Sequence, residues 1–373
     1  MKCNLKTAIK VALLSGGAMM ASNAAAYDKE LLGILLGNGS INQSQYDQLI
    51  QKETITKDDV IVKLNKKGLQ FATPDKQFKM KVGARLHVDA VASSGGDDII
   101  GDNATNGTEI RRARIYLKGK VWNDFKYVSE VDFADNGTAV KDMSMTYTGL
   151  DWLEITAGHQ KQNISMELQE SSNDIMFTER SLVNTVTGIA FDRALGLHVK
   201  SKGKDWSAQL GVYGESVGKS DSAGGDEGWG MSTRLTYTPI NTKTQVLHLG
   251  GYTGFRDVSD NDDVLNAGKG TDLKYETAHM SNLYLLKTGD IANLDKLSMY
   301  GLEAAYMQGP FSVQAEYAIT NTSRDEAPDE DFSAYYVQAG WTLTGESRSY
   351  KGSDGEFKRL KPANKFSPST GGW

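Results

Sequence analysis

The sequence predicts an all-β protein: a transmembrane antiparallel β-barrel of about twelve strands that follows a short N-terminal helical segment. Three observations predict this fold. They are an export signal at the N-terminus, long stretches in which apolar and polar residues alternate, and connections that alternate between tight turns and long polar loops. Beyond the export signal, no stretch reaches the roughly 18 apolar residues that a membrane helix needs, whereas barrel strands are apolar on one face only.

The first 26 residues are expected to be a secretory signal peptide. A basic region is followed by an apolar run from Val11 to about Ala21 and by small residues at 24–26, so we expect cleavage before Tyr27. An apolar run of roughly 11 residues is too short to span a bilayer as a helix. The one cysteine, Cys3, would leave with the signal, which excludes disulfides and thiol catalysis from the mature chain.

The charge of the chain argues against a nucleic-acid partner. The formal net charge is −6, and removing the three lysines of the signal peptide makes it −9. No overall basic field is therefore available to attract a polyanion.

The chain is expected to have three parts: the signal peptide at 1–26, a helical and periplasmic segment at 27–70, and a barrel domain at 71–373. Residues 27–70 carry leucines and isoleucines at helical spacing on both sides of Gly37-Asn38-Gly39, which predicts a helical hairpin. A role in coiled-coil assembly and a role as a short amphipathic tether both remain open for it.

Alternation with period two begins at Phe78 and continues to Ala90. One face of this stretch is apolar and the other is mostly charged over about 13 residues. Strands of soluble sheets average about 5–6 residues, whereas a strand tilted across a bilayer needs about 9–11. The same pattern recurs at 112–121, 206–213, 231–237, 311–319 and 335–343. The length of these stretches favours a membrane barrel.

The connections between these strands are of two kinds. Tight turns are predicted at 122–125, 149–152, 203–206, 239–242 and 309–311, and long polar loops at 94–108, 161–186, 216–228 and 257–295. Short turns on one side and long loops on the other are typical of outer-membrane barrels, with the short side in the periplasm. This parity favours a single loop over 257–295 rather than an additional strand at 274–287, and gives twelve strands.

The strongest candidate site is a cluster of basic residues on the first two barrel strands. If Ile115 and Leu117 face lipid, the alternate basic residues must face the lumen, because a lipid-facing Arg or Lys near the midplane would cost about 2–4 kcal/mol. The residues on this lumen wall are Lys79, Lys81, Arg85, Arg112, Arg114, Lys118 and Lys120.

An array of Arg and Lys is what an anion or phosphate pore requires, because it offsets the partial dehydration of the anion. Arginine also offers a fork of donors that matches phosphate oxygens. The alternative is that these side chains pair with Asp89, Glu109, Glu130 and Asp132 and merely fill a polar lumen. For the cluster as a whole we favour passive, anion-selective diffusion through the outer membrane.

Other motifs carry less weight. Residues 214–218 match the G-x-S-x-G pattern around Ser216, but that motif requires a strand, a sharp turn and a helix, and here a polar loop follows. The five histidines show no metal-ligand spacing, so we expect no catalytic residue, metal or cofactor. A structural or adhesive surface protein with acidic loops remains an alternative, and a hydrolase using Ser216 is a weaker one.

Several segments resemble the phosphate-selective porin O and P family. They include the strand RRARIYLKGKV at 111–121 and the loop GHQKQNISMELQESSNDIMFTERS at 158–181. The resemblance implies a homotrimer of sixteen-stranded barrels, in contact with outer-membrane lipid and lipopolysaccharide, that passes phosphate or polyphosphate. It also implies an arginine ladder, for which Arg111, Arg112 and Arg114 are the candidates, and an inward loop carrying Lys161 and Arg180.

Two departures from the family pattern bear on function. The family usually has proline and phenylalanine after the inward lysine, where this chain has Gln162-Asn163-Ile164. The geometry of the constriction therefore does not follow from the resemblance. The chain also ends at Trp373 with twelve expected strands against sixteen, from which we expect a C-terminally truncated barrel. A smaller closed barrel and a barrel completed by strands of another polypeptide are the alternatives, and a non-functional truncated porin is an alternative to the channel function.

Overall fold

The computed structural model describes residues 29–51, 59–65, 68–92, 106–214, 227–258, 271–276, 278–280, 284–364 and 367. The expected signal peptide and Ser216 lie outside the described residues. The helices are α1 (Lys29–Gly37), α2 (Gln43–Gln51), α3 (Met166–Gln169) and α4 (Leu182–Phe191). The strands are β1 (Ile61–Asn65), β2 (Gly68–Ala72), β3 (Lys79–Val91), β4 (Gly107–Val121), β5 (Phe125–Asp132), β6 (Ala139–Tyr147), β7 (Glu154–Lys161), β8 (Arg193–Lys202), β9 (Trp206–Tyr213), β10 (Trp229–Asn241), β11 (Gln245–Asp257), β12 (Thr271–Glu276), β13 (Tyr284–Ile291), β14 (Leu294–Gln308), β15 (Phe311–Arg324), β16 (Glu330–Trp341), β17 (Ser349–Lys351) and β18 (Glu356–Lys358).

One large sheet contains fourteen of these strands. Its order follows the chain from β1 to β11 and then continues with β14, β15 and β16, and the pairs for which the register is defined are antiparallel. Twelve of the fourteen, β3–β11 and β14–β16, have eight residues or more. The all-β prediction and the count of twelve long strands are confirmed. In the described residues the order is linear, with β1 and β16 at its two ends.

The segment between β11 and β14 confirms the parity argument. Its two strands, β12 and β13, pair with each other and stand outside the large sheet. The connections between strands alternate between short turns and longer loops as predicted. The turn expected at 239–242 lies at 242–244 instead. Pro239 falls in an irregularity of β10 between Tyr237 and Ile240. Because proline lacks the N–H that a regular ladder uses, a bulge accommodates it and the strand continues past it.

The N-terminal unit contains the two predicted helices. Gly39 has a positive φ of 74°, and the amide of Ser40 donates to the carbonyl of Leu35, which ends α1 in a Schellman motif. Asn42 and Gln45 accept hydrogen bonds from each other's backbone N–H and form a capping box before α2. Residues 27–70 are not helical throughout, because they also contain β1 and the start of β2.

The large sheet has an apolar outer face and a polar buried face. On β10 the side chains of Ser232, Arg234 and Thr236 are buried, whereas the alternate Leu235 and Tyr237 are each 57 % exposed. A water-soluble sheet has the opposite arrangement, because burying apolar area is worth about 25 cal/mol per Å². Exposed leucine, valine and tyrosine recur on neighbouring strands. The outer face is therefore built to contact hydrocarbon.

Aromatic rings gather at the short-turn ends of the strands. Phe78, Trp122, Phe125 and Tyr147 form a chain of ring contacts with centroids 5.2–6.2 Å apart. Phe311 and Trp341 are stacked at a centroid distance of 5.5 Å. Such girdles mark the level at which a barrel meets the lipid headgroups.

In the described part of the chain, no helix combines the length and the apolar character needed to cross a membrane.

We expect Leu197→Arg to lower the free energy of unfolding by about 2–4 kcal/mol, because Leu197 lies mid-strand on the outer face of β8. Leu197 is 52 % exposed, and in a soluble protein the same substitution would change stability by only about 0.5 kcal/mol. The measurement is urea unfolding of protein folded into phospholipid vesicles.

The matched control is Leu285→Arg, because Leu285 is 59 % exposed but belongs to the separate β12–β13 hairpin. A near-neutral result at both positions would contradict the lipid-facing assignment of the β8 surface.

Candidate functional site

The loop between β7 and β8, residues 162–192, lies against the polar face of the sheet and is called the inward loop here. Its helix α4 packs against β15 and β16, where Val183 and Val186 form a buried cluster with Ala318 and Ala334. Ile164, Leu168 and Phe191 of the same loop form a second cluster with residues of β12, β13 and β14. The β12–β13 hairpin therefore also packs on the inward loop.

The three residues that depart from the family pattern anchor the inward loop. Ile164 is fully buried in the second cluster. The Asn163 side chain donates to the carbonyl of Ser232 at 3.1 Å and accepts a hydrogen bond from the Tyr213 hydroxyl at 2.8 Å. The Gln162 amide donates to the carbonyl of Ala190. The polar contacts of Asn163 and the apolar contacts of Ile164 thus hold the start of the loop to the wall.

Glu316 of β15 holds the first turn of α3. Its carboxylate accepts hydrogen bonds from the backbone N–H groups of Met166 at 3.1 Å and Glu167 at 2.7 Å. The Tyr336 hydroxyl donates to the same carboxylate at 2.8 Å. Helix N–H groups in the first turn have no partner within the helix, so a buried carboxylate at this place satisfies them.

Two basic residues predicted from the family resemblance brace the inward loop from within. The Lys161 ammonium donates to the carbonyls of Leu168 and Glu170. The Arg180 guanidinium donates to the carbonyls of Glu167 and Glu170 at 3.1 and 2.8 Å. Both side chains donate to neutral carbonyl oxygens, so none of these hydrogen bonds is an ion pair.

A second segment, the β17–β18 hairpin, also lies on the polar face. Arg234 is fully buried, forms an ion pair with Glu303 at 2.7 Å, and donates to the carbonyl of Gly355. Tyr350 contacts His248, which in turn contacts Glu303. Because a buried charge must be paired and hydrogen-bonded, this network fixes the hairpin against β10, β11 and β14.

The hairpin segment meets the inward loop at Arg348. The guanidinium of Arg348 lies 3.6 Å from the carboxylate of Glu170, and both side chains are almost completely buried. Burial raises the pKa of the Glu170 carboxyl to about 8. On the hairpin, burial is outweighed by Lys200 and Lys351, which hold the pKa of Asp354 below its usual range. The two inward segments are therefore joined to each other and to the wall.

The predicted basic residues of β3 and β4 form a ladder along the polar face of these two strands. The register places like charges directly across from each other, in the pairs Lys79–Lys120, Lys81–Lys118 and Arg85–Arg114, and His87 opposite Arg112. The register shifts after His87, so that Arg111 is an extra residue on β4. Such a bulge turns adjacent side chains to one face. Arg111 and Arg112 consequently both line the same cavity.

This cavity, called the ladder cavity, has a volume of about 700 Å³. Six of the ten predicted site residues line it: Arg85, Arg111, Arg112, Arg114, Lys161 and Arg180. With Lys141 and Arg193, its lining carries eight basic side chains against five acidic ones, Glu130, Asp132, Asp135, Asp142 and Asp192. The excess of positive charge favours an anion in this space.

Half of these basic residues are balanced by acids. Arg111 pairs with Glu179 of the inward loop at 2.7 Å, and Arg114 pairs with Glu130 and Asp132. Arg85 and Arg193 also have acidic neighbours. In the described residues no carboxylate forms an ion pair with the other four: Arg112, Lys141, Lys161 and Arg180. The alternative of full internal pairing therefore holds for part of the cluster only.

A second polar cavity of about 520 Å³ continues toward the short-turn side. Arg85 lines both cavities, and the second one adds Lys118 and Arg359. The ammonium groups of Lys81 and Lys118 lie 5.9 and 4.9 Å from the centre of the Tyr116 ring. The other three predicted lysines, Lys79, Lys81 and Lys120, line neither of these two cavities.

Two residues that line the ladder cavity, Lys141 and Arg193, were not predicted from the sequence. Lys141 shares the parity of the exposed Met143 and Met145, which predicts a lipid-facing position. A register shift in the β5–β6 pair inserts Lys141 as an extra residue and returns it to the polar face. Arg193 follows α4 directly and pairs with Asp142 at 3.1 Å. The bulge at Lys141 leaves no signal in the alternation of the sequence.

His279 was expected to have no metal partners. The structure brings it to Glu109, with 2.9 Å between Nδ1 and Oε2, and one ligand atom of Asp135 lies within 4.8 Å of both groups. The hydrogen bond between histidine and glutamate accounts for this arrangement, and we assign no metal to it.

Comparison with known proteins decides the family. The family model described as phosphate-selective porin O and P matches residues 80–368. The chain belongs to this family. It is accordingly an outer-membrane porin, a channel-forming β-barrel protein of the bacterial outer membrane.

The porin is similar to Porin O of Pseudomonas aeruginosa, with 30 % identity over 84 % of this chain and 75 % of Porin O. It is 28 % identical to an uncharacterized protein of Caulobacter vibrioides over 79 % of this chain and 58 % of that protein. Among solved structures, in-vitro folded OmpT of Vibrio cholerae covers 76 % of this chain and 94 % of its own, with 11 % identity and a TM-score of 0.34.

We expect Glu316→Ala to release the inward loop, because it leaves two buried N–H groups without an acceptor. Each unsatisfied buried donor costs about 1–3 kcal/mol. Amide hydrogen exchange over 162–192 should become faster, while the strands of the sheet keep their protection. Mass spectrometry of the folded porin measures both.

Gln314→Ala is the matched control for this prediction, because Gln314 lies on the same strand and face and contacts Tyr336 but not α3. Unchanged exchange over 162–192 in Glu316→Ala would show that the clusters around α4 hold the loop alone.

Proposed function

We propose that this porin conducts anions selectively and passively, with phosphate and polyphosphate as the preferred species, along the basic ladder of β3 and β4. Passage of the anion involves no covalent step. The protein supplies a water-filled path and a wall of cations that replaces part of the hydration shell of the anion. From the family resemblance we also propose that the porin assembles as a homotrimer in contact with lipopolysaccharide.

The observation that carries this proposal is the alignment of like charges across β3 and β4. Side chains directly opposite each other on antiparallel strands have Cβ atoms about 4.5–5.5 Å apart, and like charges there destabilise the pair. The ladder nevertheless contains the pairs Lys79–Lys120 and Lys81–Lys118, whereas the Glu130 carboxylate already lies beside both Arg85 and Arg114. An anion between the two members of a pair would replace their repulsion by two attractions. The wall is therefore more favourable with anions present than without them.

The sequence of groups along the ladder supports a stepwise path. On the long-loop side, the arginines of the ladder cavity offer guanidinium forks that match the oxygens of phosphate. Toward the short turns the pairs are lysines, which are compact point charges that exchange ligands readily. Arg85 lines both cavities and joins the two regions. Several moderate sites in succession allow an anion to enter and to leave.

Acidic partners tune this path. Glu130 and Asp132 neutralise Arg114, and Glu179 neutralises Arg111. A wall of eight unopposed cations would bind a multivalent anion too tightly for release. Among the described residues, Arg112, Lys141, Lys161 and Arg180 are the basic groups of this lining without an ion-pair partner, and they are the groups that would attract the anion.

We expect the double variant Lys81→Gln, Lys118→Gln to weaken phosphate block of the channel by about tenfold or more. One charge-assisted hydrogen bond is worth about 1.5–3 kcal/mol, and about 1.4 kcal/mol corresponds to a factor of ten. The measurement is single-channel current in a planar bilayer, with chloride as the carrier and phosphate added as the blocker. The reversal potential in a salt gradient should move toward that of a non-selective pore.

Lys243→Gln is the matched control, because it removes one exposed lysine from the turn between β10 and β11, away from the ladder. Selectivity and block should keep their original values there. Channels that favour cations in the unmodified protein, or equal phosphate block in all three proteins, would contradict the proposal.

A further inference from the structure

The ladder cavity and the second polar cavity meet at a boundary that three of the described residues share. Arg85 of β3, Glu130 of β5 and Ser171 of the inward loop line both cavities. An anion that moves directly from one cavity to the other passes beside these three side chains, which are called the junction here. The junction therefore places a carboxylate on the path between two cavities that are lined by basic residues.

Serine hydroxyl groups hold Arg85 at the junction. Its guanidinium donates to the hydroxyl of Ser172 at 2.9 Å and to the hydroxyl of Ser171 at 3.4 Å. Both hydroxyls are neutral, so they fix the position of the guanidinium without cancelling its charge. The carboxylate of Glu130 lies 4.0 Å from the same guanidinium, which makes an ion pair that is too long for a hydrogen bond.

Glu130 is anchored by Arg114 rather than by Arg85. One of its carboxylate oxygens accepts a hydrogen bond from the Arg114 guanidinium at 2.8 Å, and the residue is only 8 % exposed. Charge-assisted hydrogen bonds of this length are strong and directional. The longer contact with Arg85 is therefore the one that a passing anion can replace.

The charge of Glu130 is not needed to neutralise Arg114. Asp132 already pairs with Arg114 at 2.6 Å, so that two carboxylates flank one guanidinium. The two acids differ in position, because Asp132 lines the ladder cavity but not the second cavity. The second negative charge beside Arg114 thus acts on the neighbouring cation of the junction, Arg85.

A fixed carboxylate beside Arg85 acts on a passing anion in two ways. It neutralises part of the charge that attracts the anion, and it repels the anion directly. Both effects grow with the charge of the anion, and both are stronger at a buried site than in water. A channel conducts only if each site also lets the anion leave. The carboxylate therefore shortens the stay of a multivalent anion more than that of a monovalent one.

We propose that Glu130 is a specificity-determining residue of this channel, which competes with a multivalent oxyanion for Arg85 and so promotes its release from the junction. This inference rests on the proposed anion path. While the oxyanion occupies the junction, Glu130 keeps its hydrogen bond with Arg114. When the oxyanion moves on, the carboxylate again neutralises Arg85. No covalent bond changes in this exchange.

The test is the lifetime of phosphate-blocked intervals in single-channel records of the full-length porin, with chloride as the carrier. Glu130→Gln removes the negative charge but keeps the length of the side chain and an oxygen that accepts from Arg114. We expect the blocked intervals to become longer by about tenfold or more, because the competitor for one charge-assisted contact is gone.

Asp132→Asn is the matched control, because it makes the same change on the same strand and beside the same arginine, but in the ladder cavity alone. It should lengthen the blocked intervals less than Glu130→Gln does. Sulfate and nitrate serve as divalent and monovalent probes. Glu130→Gln should prolong block by sulfate more than block by nitrate, a difference that a purely structural role of Glu130 would not produce.

Glu130→Asp keeps the charge and should keep the blocked intervals shorter than in Glu130→Gln, which provides a second comparison if the glutamine variant does not fold. Anion-selective channels in which Glu130→Gln leaves phosphate block unchanged, shortens it, or prolongs it no more than Asp132→Asn would overturn this inference alone. Intervals in Glu130→Asp that are as long as those in Glu130→Gln would also overturn it. Unmodified channels that select cations would overturn the proposed function together with this inference.

Discussion

A sheet in hydrocarbon has to satisfy all its backbone and inward-facing polar groups within the protein, since lipid offers no hydrogen bonds. This constraint inverts the usual arrangement, with leucine and tyrosine outside and the Arg234–Glu303 pair inside. It also explains the contents of the polar face. The inward loop and the β17–β18 hairpin bring backbone N–H and carbonyl groups that add hydrogen bonds to the Glu316 carboxylate and the Arg234 guanidinium. The ladder still lines two cavities, which it shares with residues of the inward loop.

Much of the fold could be predicted from the sequence because alternation and turn chemistry are local. The twelve long strands, the loop status of 257–295 and the polar face of β4 all follow from patterns of a few residues. Bulges break that inference. An extra residue in one strand moves all later side chains to the other face, as happens at Arg111 and Lys141. The residue types at these two positions do not predict the bulge. Pro239 is the exception, since proline itself signals an interruption.

The site depends on contacts between segments that are far apart in the chain, and local sequence patterns do not predict such contacts. Lys161 and Arg180 were located through the family resemblance, yet their bracing of the inward loop depends on carbonyl groups placed by Glu316, about 150 positions along the chain. The pairing of Glu179 with Arg111 and of Arg348 with Glu170 likewise joins segments far apart in sequence. Charge type and parity predicted which wall carries cations. Which of those cations form ion pairs and which do not depends on the three-dimensional structure.

The most direct test of the basic ladder as an anion path is to locate bound oxyanions. Crystals of the folded porin soaked in arsenate, a tetrahedral oxyanion like phosphate, would be measured at the arsenic absorption edge. We expect anomalous peaks between Lys81 and Lys118, where like charges face each other across β3 and β4, and beside Arg112 in the ladder cavity. Peaks confined to the outer loops, with the ladder empty at arsenate concentrations that block the channel, would contradict it.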